Sequence, residues 1–185
     1  MNKVVTSKDK LLKTGRNIVK QNGWYSLSIR SVADESGVSV GTIYNYFPSK
    51  SELISETVES VWHDIFHDSE CDFDFEDIMT CISWMFKRIR WGYKKYPDFF
   101  TLHSLGFMQH NKSGGIHSMY KTWQHIMYGL SFVLRNDKNI REDAFNENFT
   151  HETFVEMLFS LILASLIRKE YEAEAVLEVV RRILY

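Results

Sequence analysis

The sequence has few of the residues that cross-link or interrupt a fold. It holds two cysteines, two prolines and nine glycines in 185 residues. Cys71 and Cys81 are too few for a disulfide framework and lack metal-ligand spacing, so free thiols in a reducing compartment are expected. A sandwich of many short strands needs more turn residues, so an all-β sandwich is disfavoured and long helices are expected.

The sequence also shows no segment that is typical of a targeting signal or a membrane span. The N-terminal residues carry no apolar stretch of the kind that signal peptides have. The longest apolar stretch, 154–167, is interrupted by Glu156, Ser160 and Ser165, and it is shorter than the roughly 20 residues that span a bilayer. We therefore expect a cytoplasmic protein with no membrane partner.

The motifs of common catalytic sites do not occur. The sequence contains no nucleophile elbow, no phosphate-binding glycine loop, no dinucleotide fingerprint and no paired catalytic carboxylates. His63 and His67 are four residues apart, a spacing that can chelate a metal, but no obvious third ligand accompanies them. We expect neither an enzyme, nor a cofactor, nor a metal site.

Charge is distributed unevenly along the chain. The net charge is −2, but residues 1–50 hold eight basic and three acidic side chains, a net of +5. Residues 51–185 hold 14 basic and 21 acidic side chains, a net of −7. Such an asymmetry is typical of a chain with one polyanion-binding end.

Hydrophobic periodicity and capping residues predict an all-α fold of about nine helices. Asn22 and Gly23 end the first helix, Ser49 and Glu52 form a capping box, and Asp74 is the expected cap of the helix that follows an acidic loop. The segment 111–115 is expected to be a loop. The predicted helices cover residues 8–22, 28–36, 39–46, 49–67, 74–96, 98–110, 116–134, 151–169 and 172–185.

Two of the short predicted helices flank a glycine. Ser28 can cap the first and Ser39 the second, and Gly37 permits a left-handed turn between them. Val38 and Ile43 would anchor the second helix to the core. This pattern is typical of a helix-turn-helix, whose second helix brings small or polar side chains to a major groove. The side chains expected to face outward are Ser39, Val40, Gly41, Thr42, Tyr44 and Asn45.

Tyr46 and Lys50 lie just beyond this helix, where a hydroxyl and an ammonium can contact phosphates. The run from Ser26 to Ile54 resembles the N-terminal signature of the tetracycline-repressor (TetR) family. The resemblance covers about the first 60 residues, and the remainder is similar only in length, helical character and a pair of apolar last helices. The matching positions are Gly23, Trp24, Ser28, Ile29, Arg30, Val32, Ala33, Gly37, Val38, Ser39, Gly41, Thr42, Ile43, Tyr44, Tyr46, Phe47, Lys50 and Leu53.

The resemblance implies a homodimer that binds a pseudo-palindromic operator in double-stranded DNA and is released by a small-molecule effector. It implies a helix-turn-helix domain over 1–50, a connecting helix over about 50–68, and a ligand-binding and dimerisation domain over 69–185. By the same resemblance Ser28 and Arg30 contact DNA, together with the six outward-facing residues, Tyr46 and Lys50. One departure is Gly15, where the family usually has alanine, and a helix-interior glycine costs about 1 kcal/mol relative to alanine.

The body is dense in aromatic and methionine side chains between Trp84 and Tyr128. In a helical body these predict a pocket for a flat or apolar ligand, although an ordinary core has the same pattern. Arg88 lies on the side of Trp84 and Trp91, where it can pair with an acidic ligand or belong to a solvated basic face. The residues predicted to line the pocket are Trp84, Arg88, Trp91, Phe99, His103, Phe107, Trp123 and Met127.

The predicted helix 151–169 is apolar around most of its circumference, so it must be buried on two sides. The second side is expected to meet another subunit, with the last helix completing a four-helix interface. The alternative is that this helix is the centre of a monomer. The expected interface residues are Phe154, Leu158, Leu161, Ile162, Val176 and Val180.

The sequence therefore predicts a DNA-binding transcriptional regulator, with a repressor released by an apolar or aromatic ligand as the leading hypothesis. A regulator without a small-molecule effector, which works with the nucleoid or a protein partner, is one alternative. A metal or small-molecule sensor that has lost operator binding is another.

Overall fold

A computed structural model describes residues 6–66, 75–100 and 114–185 of the chain, with side chains in the last range described from residue 123. Within these ranges the regular structure is helical, with no strand. The elements are α1 (Lys8–Asn22), a short 3-10 turn (Trp24–Ser26), α2 (Ile29–Ser36), α3 (Val40–Tyr44), α4 (Lys50–Phe66), α5 (Ile78–Lys95), α6 (Gly114–Asn136), α7 (His151–Arg168) and α8 (Glu174–Leu184).

The all-α prediction is confirmed, and three of the expected boundaries are wrong. Helix α5 begins at Ile78 because Asp77, not Asp74, is its cap, and the Asp77 carboxylate accepts a hydrogen bond from the backbone N–H of Thr80 at 2.6 Å. Helix α6 begins at Gly114, inside the segment expected to be a loop. Helix α3 ends two residues early, at Tyr44. The predicted helix 98–110 lies mostly outside the described residues.

Helices α1, α2 and α3 enclose a small core of their own, which we call the head. Gly23 ends α1 with a positive φ of 79°, as the sequence predicts. Apolar side chains, mostly leucine, isoleucine and valine, pack in the space between the three helices. The buried members are Leu11, Ile18, Val19, Leu27, Ile29, Val32, Ala33, Ile43 and Phe47.

Helix α4 belongs to the head and to the body, the name we give to α5–α8. Near its start Thr57 lies against Gly15 of α1, and near its end Trp62 lies against Trp123 of α6. Ser49 caps it by accepting from the backbone N–H of Glu52 at 3.1 Å, which is the forward half of the predicted capping box. The two halves of the fold are thus joined by one continuous helix, whose buried residues extend from Leu53 to Phe66.

Two glycines let neighbouring helices approach α4 closely. A Cβ placed on Gly15 would stand 3.0 Å from Oγ1 of Thr57, and one placed on Gly92 of α5 would stand 2.8 Å from Cδ1 of Ile65. Thr57 and Ile65 are both fully buried, so neither has open space to move into. The departure at Gly15 therefore has a packing reason, because the glycine gives α1 its contact with α4.

An aromatic cluster fills the body beneath the head. Trp62 is its centre, with ring centroids 4.7 Å from Trp123, 5.0 Å from Phe99 and 5.5 Å from Phe100. Phe99 also stacks on Trp24 of the head, at 5.6 Å between ring centroids. Aromatic pairs at such separations add about 0.5–1.5 kcal/mol beyond the area they bury. The cluster therefore connects α4, the body and the turn that leads into α2.

A polar network ties the end of α4 to α5. The Asp64 carboxylate accepts from Nζ of Lys95 at 2.8 Å and from the hydroxyl of Tyr96 at 3.0 Å. Burial opposes the charged form of Asp64, but the bonds from Lys95 and Tyr96 outweigh it, so the pKa of the carboxyl lies below its ordinary value. Burial and the neighbouring Asp64 charge raise the pKa of the Tyr96 phenol, which therefore remains a donor.

No helix in the described ranges is long and apolar enough to cross a membrane.

Gly92→Ala should lower the free energy of unfolding by about 1–3 kcal/mol, which is the usual cost of overpacking a buried contact. The higher helix propensity of alanine offsets part of this cost. Urea unfolding followed by circular dichroism measures the change. Gly41→Ala is the matched control, since its added Cβ would meet only Oγ of Ser39 at an ordinary 3.7 Å. Equal stability of the two variants would contradict the close approach of α5 to α4.

Asp64→Asn should lower the free energy of unfolding at pH 7 by about 1–2 kcal/mol, because a charged acceptor of two hydrogen bonds is lost. The folded-state pKa of Asp64 is lowered, so its stabilising contribution is present above its ordinary pKa of 3.8 and is lost as the pH falls through the folded value. The difference between parent and variant should therefore shrink in acid.

Asp143→Asn serves as the control for this measurement, since Asp143 forms a surface ion pair with Arg141 at 3.3 Å and is itself largely exposed. Such pairs contribute little to stability. A pH-independent difference at Asp64 would count against the network.

Candidate nucleic-acid interface

Helix α2 begins with a reciprocal cap. The backbone N–H of Ser31 donates to Oγ of Ser28 at 3.0 Å, and the backbone N–H of Ser28 donates to Oγ of Ser31 at 2.9 Å. The Ser28 cap is as expected, whereas its partner Ser31 is not foreseen from the sequence. Because Ser28 is half-buried by this arrangement, its hydroxyl is held at the start of α2.

The turn between α2 and α3 depends on Gly37. Its φ of 65° and ψ of 30° lie in the left-handed region, which glycine adopts without a steric penalty. The backbone N–H of Val38 then donates to the carbonyl of Ala33 at 3.0 Å, which closes the turn. This is the turn that the sequence predicts, and it sets the direction in which α3 leaves α2.

Helix α3 has one buried and one exposed side. Ile43 is completely buried, as is Phe47 just beyond the helix, so the core holds α3 by its apolar side. Ser39 caps the helix by accepting from the backbone N–H of Thr42 at 3.1 Å, and the two hydroxyls lie 2.9 Å apart. The side chains of Tyr44 and Val40 remain 51% and 40% exposed.

The outward face of α3 is formed by the residues that the sequence predicts. Ser39, Val40, Gly41, Tyr44 and Asn45 are exposed, and Thr42 is half-buried. Among the described residues, a Cβ on Gly41 would meet only Oγ of Ser39, at an ordinary 3.7 Å, so this glycine is not required for packing. A surface with so small a residue at the start of a helix can approach another molecule closely, which a major-groove contact demands.

Lys50 is exposed and is the first residue of α4. The N-terminal end of a helix carries partial positive charge, so a lysine there gains nothing from the helix dipole. The same position is favourable if a phosphate is bound, because backbone N–H groups and the ammonium then act together. Arg30, in the first turn of α2, is also exposed.

Tyr46 differs from its expected role. Its hydroxyl donates to the backbone carbonyl of Thr6 at 3.0 Å, and its ring is half-buried. The hydroxyl thus holds the chain before α1 against the end of α3. The sequence could not show this bond, because the two residues are 40 positions apart.

Tyr25 is an exposed aromatic residue that the sequence analysis did not select. It lies in the turn before α2, and its side chain is 94% exposed. A tyrosine so exposed next to Ser28 and Arg30 is suited to contact a phosphate through its hydroxyl. Its exposure follows from the 3-10 turn, which has no sequence signal as clear as a glycine or a capping box.

Comparison with known proteins identifies the segment that carries this interface. Residues 11–57 match the family described as bacterial regulatory proteins, tetR family. A stretch of 37 residues is 46% identical to the HTH-type transcriptional repressor KstR of Mycobacterium tuberculosis, and it amounts to 20% of this chain and 17% of KstR. The N-terminal segment of the chain thus matches the tetR family. The resemblance stated from the motifs alone is confirmed.

Solved structures of regulators share the fold of this chain. A transcriptional regulator from Rhodococcus sp. Rha1 is similar over 96% of each chain, with a TM-score of 0.63 and 18% identity. BioQ, solved with its double-stranded DNA operator, is similar over 90% of this chain and 87% of its own, with a TM-score of 0.57 and 14% identity. At these identities the likeness concerns the fold alone.

The residues predicted to line a ligand pocket fall into two groups. Phe99 and Trp123 are buried in the aromatic cluster around Trp62, while Trp84 and Met127 are half-buried at the edge of the core. Trp84 lies 5.5 Å from Phe75 between ring centroids. His103 and Phe107 lie outside the described residues.

Trp91 and Arg88 form the second group, on the outside of the body. The guanidinium of Arg88 lies over the Trp91 ring at 4.5 Å and donates to the backbone carbonyls of Ile65 and Asp64. These donors hold the end of α4, and the pairing of Arg88 with an acidic ligand stays a prediction. Both residues line a groove of about 730 Å³ between α1, α4 and α5.

The dimer interface expected from the sequence stays a prediction. Phe154, Leu158, Ile162, Val176 and Val180 are buried inside a single chain. Among the six predicted residues only Leu161 stays partly exposed. The helix is apolar on two sides, as expected, but the sequence pattern does not tell which side meets the protomer's own core.

A metal site finds no support in the described part of the chain. The ranges 6–66, 75–100 and 114–185 contain no group of three histidine, cysteine, aspartate or glutamate residues that could hold an ion. His63 is exposed on α4, and His67 lies outside the described residues.

Proposed function

We propose that this chain is a homodimeric, sequence-specific DNA-binding repressor of transcription. The observation that carries the proposal is the outward face of α3. It presents small and polar side chains around Gly41, while Ile43 and Phe47 anchor the helix from behind. Base edges would be read by Ser39, Val40, Thr42, Tyr44 and Asn45, with a methyl contact from Val40 to thymine.

Charge supports the orientation of the chain on DNA. The first 50 residues carry +5 and the rest −7, so the phosphate backbone attracts the head and repels the body. Lys50 and Arg30 are the exposed cations nearest to α3 in the sequence. In this proposal the head, over residues 1–50, binds DNA. The body, over residues 69–185, dimerises and binds the ligand, and the connecting helix couples the two.

The dimer would form through the outer side of α7 and α8. Met157, Leu161, Ala164 and Ile167 recur at helical spacing on α7 and are half-buried in the single chain. A second copy that packs on this stripe would complete their burial, and a twofold axis would make the interface isologous. Val179, exposed on α8, would extend it.

Two large apolar side chains on α6 are also exposed. Tyr128 and Phe132 are one turn apart and remain 72% and 53% exposed. The ion pair between Arg135 and Glu152 joins the end of α6 to the start of α7. Because α6 and α7 are neighbours, a second copy that packs on α7 would also cover exposed side chains of α6.

We further propose that a small molecule releases the repressor from DNA. The aromatic cluster touches the head through the stack of Phe99 on Trp24, so a ligand that repacks the cluster would shift the head. Release requires only that the ligand binds the DNA-incompetent state more tightly than the competent one. Trp84, Trp123 and Met127 remain the predicted contacts in the body.

A second candidate is a regulator that has no small-molecule effector. The rings around Trp62 lie 4.7–5.5 Å apart between centroids, which is the spacing of a filled core. Footprinting on DNA distinguishes the two functions. Protection that a metabolite relieves supports the effector, and protection that no metabolite pool alters supports the second candidate.

Lys50→Ala should weaken binding to all duplexes about equally and reduce the dependence of log affinity on log salt by about 1, as the loss of one phosphate contact does. Tyr44→Ala should weaken binding to the preferred sequence by about tenfold or more, and affect random duplex less. The preferred sequence is obtained by selection from a random pool on the parent protein, and fluorescence anisotropy measures the affinities.

Lys138→Ala is the control for these variants, because Lys138 is an equally exposed lysine on the body. It should leave both the affinity and the salt dependence unchanged. Parental affinity in Lys50→Ala and Tyr44→Ala together would overturn the assignment of the DNA surface to α3 and the start of α4.

Leu161→Glu should convert the dimer to a folded monomer, because a carboxylate in the centre of an apolar interface loses its hydration without gaining a partner. Sedimentation equilibrium measures the mass, and circular dichroism checks the fold. Lys138→Glu is the control, since it adds an acidic side chain on the exposed part of the body. A dimer of undiminished affinity in Leu161→Glu would place the interface elsewhere.

A further inference from the structure

A second surface groove lies on the body, between α5 and the link from α7 to α8. Its volume is about 880 Å³, within the roughly 300–1,000 Å³ that small-molecule sites occupy. Three aromatic side chains line it, Trp91, Tyr93 and Tyr171, together with basic residues of α5. We propose that this groove binds a planar aromatic anion, such as an aromatic carboxylate.

The aromatic wall is suited to a flat ring. The rings of Tyr93 and Tyr171 lie 4.6 Å apart between centroids, and Tyr93 is exposed to the groove. Tyr171 also contacts Phe100, at 6.2 Å, so the wall is supported by the aromatic cluster behind it. A ring that stacks here would bury apolar area against these aromatic side chains.

The Tyr171 hydroxyl supplies a hydrogen-bond donor. It is buried, and no other described residue accepts from it or donates to it. A buried polar group without a partner is destabilising, and such groups are rare in folded proteins. Burial raises the pKa of Tyr171 to about 12, so the phenol stays protonated at neutral pH. A ligand oxygen that met this hydroxyl, as Tyr171 turned toward the groove, would remove the cost.

The charges around the groove favour an anion. Most of them are paired: Arg90 with Glu172 at 2.7 Å, Lys169 with Asp98 at 3.6 Å, and Arg168 with Glu170 at 2.9 Å. Three charged lining residues form no ion pair with another described residue, namely Lys87, Lys94 and Glu174. The two lysines lie on one face of α5, two turns apart, with Trp91 between them. Two ammonium groups against one carboxylate leave the groove positive.

This site goes beyond the proposed function. It lies on the outer surface of the body, apart from the DNA-binding face of α3, and its occupancy can be measured without DNA. The absence of ligand binding to the groove would therefore not contradict the proposed repressor. The absence of DNA binding would not contradict the groove, because the ligand titration tests the groove separately.

The experiment is isothermal titration calorimetry of the full chain with 2-naphthoate and with its neutral analogue 2-naphthamide. We expect one naphthoate bound per chain, with an affinity about fivefold above that of the amide, the ratio that roughly 1 kcal/mol of charge–charge attraction produces. The preference should decline as salt is raised, because salt screens exposed lysines.

Two variants locate the binding. Tyr171→Phe should lower naphthoate affinity about fivefold, the effect of one hydrogen bond of roughly 1 kcal/mol, while the melting temperature of the free protein stays equal or rises. Lys87→Ala combined with Lys94→Ala should abolish the preference for naphthoate over the amide. The controls are Tyr25→Phe and Lys138→Ala, which alter an exposed tyrosine and an exposed lysine away from the groove.

Three results would overturn the proposal. The first is the absence of naphthoate binding at millimolar concentration. The second is binding that neither the tyrosine variant nor the double lysine variant changes, since the ligand would then occupy another site. The third is a lower melting temperature for Tyr171→Phe without ligand, which would mean that the hydroxyl already has a partner.

Discussion

The packing of α4 is the constraint on which the rest of the structure depends. This helix is buried against α1 at Thr57 and against α5 at Ile65, and in both places a glycine allows the contact. Trp62, near its end, is the centre of the aromatic cluster. The head is therefore not a module on a flexible tether. It shares a helix with the body, and its position is set by how closely α1 and α5 approach that helix.

Two kinds of interaction hold the body in place. One is apolar, the stack of Phe99 on Trp24 of the head, and the other is polar, the bonds from Lys95 and Tyr96 to Asp64 of α4. Close-packed interiors transmit displacement because they contain little free volume. A change in the body can reach α2 and α3 without a moving loop, since Trp24 belongs to the turn that precedes α2. The fold thus supplies a physical route for coupling, and the proposed effector would act through it.

The surface of the protein has regions of different chemistry, and the packing of the helices explains them. Each helix presents one apolar stripe to its own chain, and what lies opposite is free for another task. On α3 the opposite side is small and polar around Gly41, on α7 it is the stripe of Met157 and Leu161, and on α5 it is basic and aromatic around Trp91. Three binding surfaces, for DNA, for a second copy and for an aromatic anion, can therefore exist on one small helical chain.

The sequence by itself determined the parts that rest on local chemistry. Caps at Ser28 and Ser39, the glycine at 37 and the apolar spacing around Ile43 act within a few residues. The helix-turn-helix and its outward face could therefore be predicted, together with the all-α fold and the resemblance of the N-terminal segment to the tetR family. The tertiary structure decided what depends on distant partners. It shows that the Tyr46 hydroxyl is bound to Thr6, that Arg88 holds α4, and that Phe154 and Leu158 face their own core. Periodicity shows that a helix has two apolar sides, but only the packing of all the helices decides which one is covered.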